Sequence, residues 1–180
     1  MLIDAERSML LVIDLQAKLV PVLAEHEEVV ANATWLIRLA QKIGVPVAAT
    51  EQYPKGLGPL VAKVRKLIPD EAIGTKNHFS AVAAQCLAAL PGHERAQVVV
   101  VGAEAHVCVM QTSLELLEDG KEVYVVADAI ASRRAGDRDV AILRMREEGI
   151  RIVTREMVAF EWLAVAGTPL FGEINREYFK

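Results

Sequence analysis

The sequence predicts a single-domain α/β fold: a doubly wound, Rossmann-like parallel sheet of five to six strands flanked by helices. Three observations predict it. Apolar runs of strand length alternate with stretches of helical spacing along the whole chain, without linker, repeat or low-complexity tract. Val98-Val99-Val100-Val101 is an unbroken valine run, the pattern of a strand buried on both faces. Hydrophobic residues make up 53% of the 180 residues and aromatics only 5%, so the core is built from Val, Leu, Ile and Ala, the usual filling of such a sheet. Residues 1–180 fit one domain of ordinary size.

The elements follow in order. Ser8 to Leu15 is an apolar run carrying an acid, Asp14, at its end, and reads as strand one. Val29, Val30, Ala33, Leu36, Ile37 and Ala40 recur at helical spacing within Glu25 to Ile43, and Gly44 with Pro46 stops that helix. Val45 to Thr50 is strand two, followed by a Gly/Pro-punctuated loop, Glu51 to Gly58, of the kind that carries substrate contacts. Leu57 to Leu67 has a helical apolar face, and Ala72 to Lys76 is a short third strand closing on a lysine. Ser80 fits the N-cap of a helix over Ala81 to Leu90. After the valine strand, Val107, Met110, Leu114 and Leu117 place Cys108 in the first turn of a helix. Lys121 to Ala127 is strand five, Asp128 to Arg133 a loop, and Asp137 to Glu148 a helix capped by Gly149. Ile150 to Thr154 is a last short strand, before helices over Met157 to Ala166 and Pro169 to Tyr178.

The net charge of −4 and the absence of any Lys/Arg block exclude a nucleic-acid or anionic-membrane surface of the usual basic kind. The N-terminal residues lack the basic start and apolar run of a signal peptide, and no apolar stretch reaches a membrane span, so a cytoplasmic protein is expected. The two cysteines, Cys86 and Cys108, are then expected as reduced thiols on different elements.

Parallel strands joined by right-handed crossovers bring their carboxyl ends to one edge, so Asp14, Lys76 and Cys108 converge. Each has a bland reading: the thiol as a small core hydrophobe, the acid and the lysine as solvated groups. Together they have a sharper one. A thiol needs a base and a positive charge to become a nucleophile, and a carboxylate and an ammonium supply both. A helix N-terminus would further depress the thiol pKa. Phosphate-binding glycine loops and a serine nucleophile elbow are absent from the sequence, and His106 with Cys108 lacks the paired spacing of structural zinc.

Leu11-Val12-Ile13-Asp14-Leu15-Gln16, Lys76-Asn77-His78-Phe79-Ser80-Ala81 and Gly102-Ala103-Glu104-Ala105-His106-Val107-Cys108-Val109 resemble the three motifs of the isochorismatase-like cysteine hydrolases. Thr50 to Gly58, Asp128, Ser132-Arg133 and Pro169 to Ile174 resemble the branch of isochorismatase domain-containing proteins. The resemblance implies an Asp14–Lys76–Cys108 triad, a thioacyl-enzyme, a non-proline cis peptide at Ala103–Glu104, and an oxyanion hole from the backbone N–H groups of Glu104 and Cys108. Gln16, Gln52, Tyr53, Phe79 and His106, in or beside these motifs, are the expected substrate contacts. Family nicotinamidases hold a metal through histidines after strand two, and Glu51-Gln52-Tyr53 offers none, so neither metal nor cofactor is expected. True isochorismate hydrolases lack the nucleophilic cysteine, so Cys108 points to a small amide or carbamoyl substrate. The family's habit of assembly predicts a homo-oligomer. The alternative is a catalytically silent binding or scaffold protein on the same fold.

Overall fold

The computed structural model describes residues 1–179, and its sheet has six strands, all parallel, in the order β3-β2-β1-β4-β5-β6. These are β1 (Ser8–Ile13), β2 (Val47–Gln52), β3 (Ile73–Lys76), β4 (Gln97–Ala103), β5 (Glu122–Ala131) and β6 (Arg151–Val153). The chain winds outward from β1 to β3, returns to β4 on the other side of β1, and winds outward again. The reversal puts the topological switch point between the carboxyl ends of β1 and β4, where folds of this kind open a crevice.

Every residue of β1 and β4 is buried. Successive side chains alternate between two cores. Leu10 and Val12 pack with α1 (His26–Ile43), α6 (Arg155–Leu163) and α7 (Pro169–Tyr178). Met9, Leu11 and Ile13 face α4 (Met110–Glu118) and α5 (Ala135–Glu147). Helix α1 sinks Val29, Ala33, Leu36, Ile37 and Ala40 into the first core, each large side chain worth about 1.5–3 kcal/mol. Glycine is required at Gly102, the last β4 residue in register with β1. Its φ is +145°, and a Cβ there would lie 2.1 Å from the Ile13 carbonyl oxygen.

Four expectations are corrected. Leu57 to Leu67 is not one helix but two short ones, α2 (Pro54–Leu57) and α3 (Ala62–Arg65), because Gly58 at φ +77° and Pro59 interrupt it. Leu60, between them, instead bridges to Gln16. Ala81 to Leu90 forms successive turns rather than a helix. Ser80 does cap the first of them, its Oγ accepting from Val82 N at 3.1 Å. The chain is then diverted by bonds to α4, with Ala81 N donating to Thr112 Oγ1 and Ala83 N to Glu115 Oε2, and it turns through Gln85 at φ 55°. The expected loop from Asp128 extends β5, since Ile130 pairs with Gly102 after a register shift and buries its side chain. Cys108 lies in a π-helical turn, Ala105–Val109, that leads into α4, rather than in the first turn of an α-helix.

Candidate active site

Asp14 is the first residue beyond β1, in the left-handed region at φ 52°, and its N–H is held by the Thr50 carbonyl at 3.1 Å. Its carboxylate accepts from Thr50 Oγ1 at 2.8 Å and from Lys76 Nζ at 2.7 Å. Lys76 ends β3, two strands away, and reaches beneath the end of β2 to make this pair. Its ammonium also donates to Gln52 Oε1 at 2.7 Å and to the Phe79 carbonyl at 2.9 Å, so its three protons are placed. Both side chains are fully buried. A buried ion pair survives only when further hydrogen bonds support it, and here Thr50, Gln52 and the Phe79 carbonyl provide them.

Cys108 is buried beside this pair, which acts on it from both sides. Burial pushes the thiol up to about 12, the Asp14 charge pushes in the same direction, and the Lys76 charge opposes both. This corrects the expected depressed pKa: at neutral pH the resting group is a thiol. Cys86, half-buried and free, is likewise raised by burial.

Cys108 lines a cavity of about 340 Å³ with Gln52, Phe79, Glu104 and Arg133, walled on its apolar side by Leu19, Leu57 and Val107. Of the expected substrate contacts, Gln52 and Phe79 therefore lie at this cavity. Gln16 does not. It is fully buried, its amide donating to the Gln52 and Gly58 carbonyls at 2.9 and 2.6 Å and accepting from Gln52 N at 2.8 Å, and so it ties β1 to the loop after β2. Tyr53 faces a separate cavity of about 490 Å³ with Lys55, Asn77 and His78. His106 Nδ1 pairs with Ser132 Oγ at 2.8 Å.

The Ala103–Glu104 peptide is trans, as are all peptide bonds among the described residues. The corner at the end of β4 is turned instead by Gly102 at φ +145° and Glu104 at φ 56°. Among the described residues no group of three or more His, Cys, Asp or Glu is placed to hold a metal ion. Thr50, the second partner of the Asp14 carboxylate, and Arg133, at the cavity, are not among the expected site residues, although both fall in stretches that resemble the isochorismatase domain-containing branch.

The sheet order and the switch point are those of an α/β protein of the isochorismatase-type fold. The chain belongs to the isochorismatase family: the Isochorismatase domain model matches residues 8–157. It is 36% identical over 177 residues to isochorismatase domain-containing protein 2 of Danio rerio, covering 97% of this chain and 88% of that one. It is 37% identical to protein 2A of Mus musculus, covering 95% and 82%. Among solved structures, the MAR1 ribonuclease of Caenorhabditis elegans superposes with a TM-score of 0.88 at 33% identity, covering 100% of this chain and 93% of that one. The YcaC gene product of Escherichia coli, described as an octameric hydrolase of unknown specificity, superposes with a TM-score of 0.85 at 26% identity, covering 91% and 83%.

Proposed function

We propose that the protein is a cysteine hydrolase that cleaves a C–N bond of a small amide or carbamoyl compound. The observation that carries this reading is the fully buried Asp14–Lys76 pair, 2.7 Å apart, beside the Cys108 thiol at the wall of a cavity at the switch point. Substrate binding aligns the carbonyl carbon with Sγ. As the C–S bond forms, the thiol proton passes to Asp14, and the developing oxyanion is taken by the backbone N–H groups of Glu104 and Cys108. Asp14 returns that proton to the departing nitrogen, the C–N bond breaks, and a thioester remains. Water then attacks the thioester with Asp14 as base, releasing the acid and restoring the thiol. Lys76 balances the Asp14 charge while that carboxylate is ionised and offsets the charge developing on the reacting groups while it holds the proton. Gln52 and the Phe79 carbonyl hold Lys76 in place.

The protein works as a homo-oligomer, a reading supported by the octameric description of the Escherichia coli relative and by Val140, Leu143 and Phe160 left exposed on α5 and α6. Light scattering at micromolar concentration tests this: the mass is a multiple of 19.7 kDa, and the monomer mass contradicts it.

The activity is tested by ammonia release from a panel of small amides and carbamoyl compounds, with wild type and Cys108→Ala compared. Release by wild type alone supports the reading. No release by wild type from any of them, or equal release by the variant, favours the silent binding protein. An RNA arm in the same panel addresses the ribonuclease name of one structural relative, and cleavage lost in Cys108→Ala would redirect the substrate class.

A further inference from the structure

One buried carboxylate has ion-pair neighbours but no hydrogen-bond donor. Among the described residues, the buried side-chain oxygens without a hydrogen bond are Thr34 Oγ1, Ser113 Oγ and both carboxylate oxygens of Glu104. The first two are neutral hydroxyls. Glu104 is 6% exposed and lines the cavity that holds Cys108. A buried carboxylate with four empty lone-pair positions is costly and needs donors.

Neither of its two neighbours gives it a hydrogen bond. Arg133 Nε stands 3.1 Å from Oε1, within ion-pair range but without hydrogen-bond geometry, on a side chain that is 62% exposed. Such a partner is mobile and weakly held. His106 Nδ1 is 3.6 Å from Oε2 and is already engaged with Ser132 Oγ at 2.8 Å. The backbone keeps Glu104 where it is: the residue is held at φ 56° between Gly102 and the turn that presents Cys108.

We propose that Glu104 determines specificity by receiving a pair of N–H donors from the substrate, an amidino or ureido edge, while Arg133 swings off the carboxylate. The inference rests on the hydrolase reading above and narrows its substrate class. Two parallel donors match two empty carboxylate oxygens, as in a bidentate guanidinium–carboxylate pair. Simple aliphatic amides and carboxylates leave Glu104 unsatisfied or repel it.

Small alkylating agents test this without a known substrate. In each, Sγ displaces chloride to form the C–S bond and the thiol proton leaves to base or solvent. Chloroacetamidine carries a cationic donor pair, chloroacetylurea a neutral one, chloroacetone none and chloroacetate an anion. Labelling of Cys108 is followed by mass spectrometry in a Cys86→Ser background, and each rate is divided by that of the reagent with a free small thiol. The expected result is a saturable preference of at least tenfold for one or both donor-pair reagents over chloroacetone. Which of the two is preferred tells a charged edge from a ureido one. Glu104→Gln lowers that ratio at least tenfold, and Arg133→Ala, which removes the mobile neighbour of the carboxylate, raises it severalfold. A donor-pair ratio near one, a ratio that survives Glu104→Gln and is unmoved by Arg133→Ala, or a preference for chloroacetate overturns the inference while leaving the hydrolase reading in place. Failure of every reagent to label Cys108 overturns the inference and leaves the hydrolase reading to the ammonia screen.

Discussion

The two ends of the β1–β4 pair bury polar groups at matching positions and treat them in opposite ways. At the amino end, Ser8 and Gln97 stand in register and are fully buried. Ser8 Oγ accepts from Trp162 Nε1 at 2.8 Å, and the Gln97 amide accepts from Asp4 N at 2.7 Å and donates to the Leu2 carbonyl at 3.0 Å. Both of these buried side chains are neutral and paired, and the ions they meet, Glu122 Oε2 at 3.1 Å from Gln97 Nε2 and Arg95 at 2.9 Å from the Ser8 carbonyl, lie nearer the surface. At the carboxyl end, where Ile13 meets Gly102, the buried groups include a fully buried ion pair, two non-glycine residues hold positive φ, and one carboxylate lacks a hydrogen-bond donor. Saturated neutral polarity fastens a fold. Strained, charged and incompletely satisfied polarity is what a fold tolerates where chemistry is done.

Substitutions at the two ends should therefore separate activity from stability. The largest effect is expected from Asp14→Asn, which keeps the shape but cannot accept the thiol proton. Turnover on an amide found by the ammonia screen falls on the order of 10²–10⁴-fold. The variant leaves the fully buried Lys76 ammonium held by Gln52 and the Phe79 carbonyl but without its counter-charge, so stability falls too, by about 3–5 kcal/mol, and kcat is read per folded protein. Near wild-type kcat would make the aspartate structural and dissolve the contrast between the ends. Gly102→Ala comes next. Its Cβ would meet the Ile13 carbonyl oxygen at 2.1 Å in a backbone region closed to L side chains, so chemical denaturation should report a loss of about 3 kcal/mol or more. At the amino end the expected effect is smaller and purely structural. Trp162→Phe leaves the buried Ser8 hydroxyl without its donor and costs about 1–3 kcal/mol with kcat unchanged. A fall in kcat beyond the loss of folded protein would show the two ends to be coupled.

How far the sequence could be read follows the same division. Strands β1 and β4 announce themselves by apolar runs, and Asp14 and Lys76 by being charged residues at strand ends, where topology alone brings them together. The helix over Ala81 to Leu90 fails because its capping signal is local whereas the bonds from Thr112 and Glu115 that divert the chain come from α4. The thiol's raised pKa was hidden for a related reason. A helix N-terminus can be read from spacing, but the burial of Cys108 and the Asp14 charge beside it exist only once the chain is folded. Gln16 sits next to a motif aspartate and still points away from the cavity, since an amide tying β1 to the following loop looks in sequence like one that binds a ligand.

In the proposed mechanism Cys108 rests as a thiol, and Asp14 takes its proton only as substrate reacts. Titration of the thiolate ultraviolet absorbance in a Cys86→Ser background tests this most directly. Cys108 should stay protonated through neutral pH and ionise only toward about 12, as burial and the Asp14 charge require. Asp14→Asn should bring that ionisation to lower pH, because it removes a charge that opposes the thiolate, and Lys76→Met should move it higher still. A wild-type thiolate already present at pH 7, or an Asp14→Asn titration shifted upward, would contradict the account.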